Sequence, residues 1–210
     1  MDKRYAIFDM DGTLVDSMVY WKNLASEYLR LKDVTEIPAE VLNKIKPMTM
    51  TESAALFIQE FQLEGSPEQI AEEMNAMMDQ HYHTDIPLKA GVHEYLDQLH
   101  CSGTVMCVAS ATAEPLMKAC LSRLGVAHYF QFLLSCETVG AGKNRPDVYF
   151  AAAERLGAGP EEIAVYEDAL YAARTAKEAG FYVVGIYDDS ASGHWGELKE
   201  LADEWMKVPR

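Results

Sequence analysis

Tyr5–Ser17 reads YAIFDMDGTLVDS, and this stretch decides the fold. Tyr5, Ala6, Ile7 and Phe8 form an apolar run of strand length. Asp9 and Asp11 follow, one residue apart, and Gly12 lets the chain turn sharply. Positions i and i+2 of a strand edge point the same way. Both carboxylates therefore face one site just past a strand's C-terminal end, where open α/β sheets place ligands. Two like charges so close need neutralising, and Mg²⁺ held by oxygen ligands would do it.

The rest of the chain alternates around that strand. Helical periodicity runs from Ser17 to Asp85, with Ala39–Lys46, Thr51–Phe61 and Pro67–Tyr82 as separate helices and Pro47 as a break. No strand pattern falls in this interval. Beyond Asp85, apolar strands at Thr104–Ala109, Phe132–Leu134, Ile163–Tyr166 and Phe181–Tyr187 alternate with amphipathic helices, and Trp195–Met206 reads as a closing helix. Five near-continuous apolar strands separated by helices predict a parallel sheet covered on both faces. The expected fold class is α/β, a Rossmann-like three-layer α/β/α core. That core is split in sequence, residues 1–16 with 86–210, around a helical insert at 17–85.

Composition bounds the function. A charge of 18 − 33 = −15 argues against a nucleic-acid backbone or an anionic membrane surface as partner. A phosphorylated substrate stays open, because a metal and a lysine can dominate one pocket. Cys101, Cys107, Cys120 and Cys136 form no C-x-x-C pair, which fits reduced thiols and a cytoplasmic setting. The first strand begins by Tyr5, leaving no room for a signal peptide, and no apolar run approaches a membrane span.

Polar residues recur where strands end. Asp9 and Asp11 end the first, Ser110 the second, Glu167 and Asp168 the fourth, and Lys143 stands in the loop after the third. In a parallel sheet these ends share one rim, so carboxylates, a lysine and a hydroxyl converge as in metal-assisted phosphoryl transfer.

DMDGTLVDS, VASAT (Val108–Thr112), GKNRPDVY (Gly142–Tyr149) and VYEDALYAARTAKEAGF (Val165–Phe181) resemble, in order, the four motifs of the haloacid dehalogenase superfamily. The helical insert is similar in position and size to the C1 cap of subfamily I. The resemblance points to the phosphatase and beta-phosphoglucomutase branch. It implies a Mg²⁺-dependent phosphatase of a small phosphorylated metabolite that works through an aspartyl-phosphate. Asp9 would be the nucleophile and Asp11 the general acid and base. Ser110, Lys143 and the backbone N–H groups of Met10 and Ala111 would bind phosphate. Asp9, Asp11, Glu167 and Asp168 would form the metal site, with Asp11 offering its backbone carbonyl.

Departures are few. Asn144 replaces a proline in the third motif and makes Arg145 an extra cation near Lys143, and Ala172 replaces a glycine in the fourth. The nearest rival is a sugar phosphomutase similar to beta-phosphoglucomutase. Its cap histidine and cap arginine compare with Trp21 and Met50 here, which favours hydrolysis. A phospho-receiver signalling domain combines acids, a hydroxyl and a lysine too, but is shorter and has no helical insert. Helix packing is the favoured reading of the methionines in the insert, with Met48 and Met50 as a candidate substrate face. His81-x-His83 could form a metal pair but reads as surface or hinge polarity, and Asp188-Asp189-Ser190 as a solvated turn.

Overall fold

The computed structural model describes residues 3–45, 48 and 50–207. By internal contacts the chain divides into two units, Met1–Met18 with Ile86–Arg210, and Val19–Asp85. In the first unit six parallel strands form one sheet: β1 (Tyr5–Phe8), β2 (Val105–Ser110), β3 (Phe130–Ser135), β4 (Ile163–Glu167), β5 (Tyr182–Ile186) and β6 (Glu204–Met206). Their order is β3-β2-β1-β4-β5-β6, and every neighbouring pair is parallel.

β1 lies in the middle because it is buried on both faces. Ile7 joins Cys107, Ala109, Val165 and Val183 in a cluster on one face. Phe8 points the other way, stacked on Tyr166 with ring centroids 4.1 Å apart. Each such side chain contributes about 1.5–3 kcal/mol on full burial. Two helices cover the Ile7 face, one over Asp147–Leu156 through Val148, Tyr149, Ala152 and Leu156, the other over Leu170–Glu178 through Ala173 and Ala176. On the opposite face the helix Val92–Cys101 brings Val92, Tyr95 and Leu96 around Phe8 and Tyr166. The chain runs from β1 to β2 and β3 on one side, then crosses to β4 on the other. The C-terminal end of β1 is therefore the sheet's switch point.

The second unit is helical. Its main elements are Ala39–Lys44, Met50–Phe61 and Pro67–Thr84, together with most of Met18–Leu31. Ser66 caps the longest of them. Its side chain accepts from Gln69 N at 3.2 Å, and Gln69 Oε1 accepts from Ser66 N at 2.9 Å. The expected extension of the Ala39 helix to Lys46 and the break at Pro47 lie outside the described residues.

Three expectations need correction. Among the described residues the sheet has six strands and not five. The closing helix is Trp195–Leu201, and Glu204–Met206 is an edge strand paired with Val184–Ile186. Leu198 is buried but Trp205 is 53% exposed, so the segment's apolar residues serve two different elements, which blurs the periodicity. Finally, Asp188 is not solvated: it is 5% exposed and paired with Lys89.

Candidate active site

Asp9 follows β1 directly. Phe8 pairs with Tyr166 in register, and Asp9 N donates to Tyr166 O at 3.0 Å, so Asp9 stands level with Glu167, the last residue of β4. Register also sets Ser110 against Ser135 at the same rim. Lys143 reaches this rim from the loop between the helices Cys136–Val139 and Asp147–Leu156.

Lys143 lies between two carboxylates. Its Nζ donates to Asp9 Oδ1 in a short contact and to Glu167 Oε1 at 2.6 Å. Tyr149 Oη donates to the same Glu167 oxygen at 2.7 Å. Carboxylate oxygens of Asp9, Glu167 and Asp168 all lie within 4.8 Å of one another, and all three residues are buried. Three acids thus share one bonded ammonium. Burial, with the neighbouring charges of Glu167, Asp168 and Asp11, holds the Asp9 carboxyl well above its usual range. Burial, with Glu167 and Asp188, pushes Asp168 up to about 7. Burial disfavours the charged ammonium of Lys143, but Asp9 and Glu167 outweigh it and raise its pKa, so it stays charged. Three buried carboxylates with excess negative charge offer oxygen ligands that fit a hard divalent cation.

Gly12 makes the turn possible. Its φ is +83°, and a Cβ there would fall 2.8 Å from Asp168 Cγ. The turn and the carboxylate occupy adjoining space, with Thr13 Oγ1 3.4 Å from Asp168 Oδ1. Asp11 points elsewhere. Its Oδ1 accepts from Ser17 Oγ at 2.6 Å, and its Oδ2 accepts from Thr112 Oγ1 at 2.6 Å and Ser110 Oγ at 3.4 Å. Its side chain is thus separate from the three-carboxylate cluster.

Sequence reading missed Ser17, Thr112, Tyr149, Lys89 and Asp188. Ser17, Thr112 and Tyr149 lie within the three stretches Tyr5–Ser17, Val108–Thr112 and Gly142–Tyr149, and Asp188 obeys the rule that polar residues end strands, so these four carried a usable signal. Arg145 turns away: it is exposed and pairs with Asp147 at 2.9 Å. His81 bonds Asp85 at 2.9 Å and His83 pairs with Asp79 at 3.0 Å, so neither needs a metal. The helical unit holds its own cavity of about 610 Å³, whose lining includes Trp21, Lys22, Asn43, Met48 and Met50.

The haloacid dehalogenase-like hydrolase family model matches residues 6–186. The chain belongs to that family. It is 28% identical over 193 residues to the fructose-1-phosphate phosphatase YqaB of Escherichia coli, covering 89% of this chain and 98% of that one. It is 25% identical over 178 residues to a phosphorylated carbohydrates phosphatase of Thermotoga maritima, covering 83% and 80%. These relatives place it among the phosphatases of the family. The beta-phosphoglucomutase of Clostridium difficile shares the fold, with a TM-score of 0.71 at 19% identity over 99% of this chain and 92% of that one. Among the described residues no helix is long and apolar enough to cross a membrane.

Proposed function

We propose that this haloacid dehalogenase-like enzyme is a Mg²⁺-dependent phosphatase of a small phosphorylated metabolite, of the sugar-phosphate type that the two phosphatase relatives are named for, and that it works through an aspartyl-phosphate. The observation that carries the reading is Lys143 bonded between Asp9 and Glu167 beside Asp168. Asp9, Glu167 and Asp168 would hold the ion, with the backbone carbonyl of Asp11 as a further ligand. When bound, it offsets the charge of phosphate and carboxylates.

The remaining work falls to side chains. An Asp9 carboxylate oxygen attacks phosphorus, so an O–P bond of an acyl phosphate forms as the bond from phosphorus to the substrate oxygen breaks. Asp11 gives its proton to that leaving oxygen. It then takes a proton from the water that attacks the aspartyl-phosphate, which frees phosphate and restores Asp9. Lys143, the Ser110 hydroxyl and the N–H groups of Met10 and Ala111 hold the phosphoryl oxygens. Ser17 and Thr112, bonded to its two oxygens, orient the Asp11 side chain for both transfers. The insert acts as the cap in this reading. Trp21 donates to Tyr82 Oη at 3.1 Å within that unit, and it and Met50 are the positions that the resemblance compares with a mutase's cap histidine and arginine. That favours release of phosphate to water over its return to a sugar.

The test is a phosphate-release screen over sugar phosphates, sugar-alcohol phosphates and nucleotides, with Mg²⁺ or with EDTA. Asp9→Asn should reduce turnover on the best substrate to background with its far-UV circular dichroism unchanged. Full activity in that variant would remove Asp9 from the nucleophile's role.

A further inference from the structure

We propose that Lys89 is a positioning residue which, with Asp188, fixes the Gly12 turn that seats Asp168, and so sets how tightly the carboxylate cluster holds a divalent ion. The inference rests on the metal-dependent reading above and extends it to a residue outside the quoted motifs.

Lys89 lies on the return from the helical insert. Its Nζ donates to Gly12 O at 2.7 Å, Tyr187 O at 2.8 Å and Asp188 Oδ2 at 2.6 Å. These three acceptors match the three N–H bonds of an ammonium. All three are held. Two are backbone carbonyls, and Asp188 Oδ1 accepts from Ser190 N at 2.8 Å and from the Ser190 hydroxyl. The Lys89 backbone is fixed as well, its N–H donating to Leu14 O at 3.0 Å. The pair is mostly shielded, with side-chain exposures of 13% and 5%.

What this anchor holds is the turn beneath Asp168. Gly12 offers its bare α-carbon to that carboxylate, and Thr13 adds a hydroxyl. Lys143 bonds Asp9 and Glu167 directly, whereas Lys89 acts through the Gly12 carbonyl and Asp188. The charge of Lys89 also favours ionised Asp168, whereas Asp188 opposes it. One nitrogen with three diverging donors suits this geometry. A planar guanidinium could not place a single nitrogen on all three acceptors.

The test is Mn²⁺ titration followed by electron paramagnetic resonance on the full chain without substrate, with melting measured alongside. Lys89→Met should weaken Mn²⁺ binding about tenfold or more, as loss of groups that orient metal ligands typically does. The double variant Lys89→Met/Asp188→Leu removes the stranded carboxylate. It should regain melting temperature and keep the weakened affinity. Lys89→Arg, which keeps the charge, secures the reading if Lys89→Met fails to fold, and should still bind several-fold more weakly than the parent. Folded variants that match the parent's Mn²⁺ affinity would make Lys89 an ordinary internal ion pair and overturn the proposal, as would recovery of affinity in the double variant. A parent protein that takes up no Mn²⁺ would instead overturn the metal reading itself.

Discussion

Lys143→Met removes the ammonium from between Asp9 and Glu167 with little change in side-chain volume. The lysine side chain is 4% exposed, so no water can take over its charge. Breaking a buried ion pair by deleting one partner costs about 3–5 kcal/mol, because the other charge is left uncompensated. For a chain of this length each kcal/mol moves the melting point by about 2–4 °C, so a fall of roughly 10 °C is expected. The loss carries a pH signature. Asp9 already sits above its ordinary range because of burial and its acidic neighbours, with Lys143 pulling the other way. Without Lys143 the folded-state Asp9 and Asp168 carboxyls rise further. Above the ordinary carboxylate range the folded protein then holds protons that the unfolded chain has released, so stability falls as pH rises. The deficit should be larger at pH 8 than at pH 5. Thermal unfolding in EDTA at both values measures it, and phosphatase turnover should vanish at either. A variant that melts with the parent at pH 8, or whose deficit is the same at both values, would refute this account of the cluster.

Gly12→Ala tests the turn. It forces a side chain into φ +83°, at a cost of about 1–2 kcal/mol, and drives a methyl group into Asp168. Turnover should fall at least tenfold while the protein stays folded, and an unchanged kcat/KM would show that the turn does not seat the carboxylate. Asp168 gives a second, metal-linked pH effect. With its pKa raised to about 7, its contribution to stability in metal-free protein is lost as pH rises from its ordinary range through 7. Mg²⁺ requires the ionised form, so added Mg²⁺ should raise the melting point more at pH 8 than at pH 5. Equal shifts at the two values would exclude Asp168 from the site.

Much of the fold was legible because the strands are buried on both faces and read as unbroken apolar runs. Ile163–Glu167, fully buried, shows this best. β6 was not legible, because three residues at a sheet edge, one of them the half-exposed Trp205, leave no period to detect. In the site, Asp9, Ser110, Glu167 and Asp168 could be placed because a parallel sheet carries all its strand ends to one rim. Lys89 could not. It belongs to no strand end, and only the folded chain brings it to Gly12 and Asp188. Asp188 was misread for a related reason: three polar residues in a row resemble a solvated turn until the Lys89 ammonium is found beside the first.

The chain leaves and re-enters the sheet unit at neighbouring points. Asp16 N donates to Pro87 O at 3.0 Å, and Val15 bridges Leu88. Sixty-seven residues therefore depart through a doorway one hydrogen bond wide. Whatever is spliced in there closes a loop whose ends already meet, so the entropy of closure grows only slowly with its length. Evolution can exchange, enlarge or trim the inserted cassette without rethreading a single strand, and the phosphate-handling chemistry can be offered new molecules while its own scaffold stays as it was.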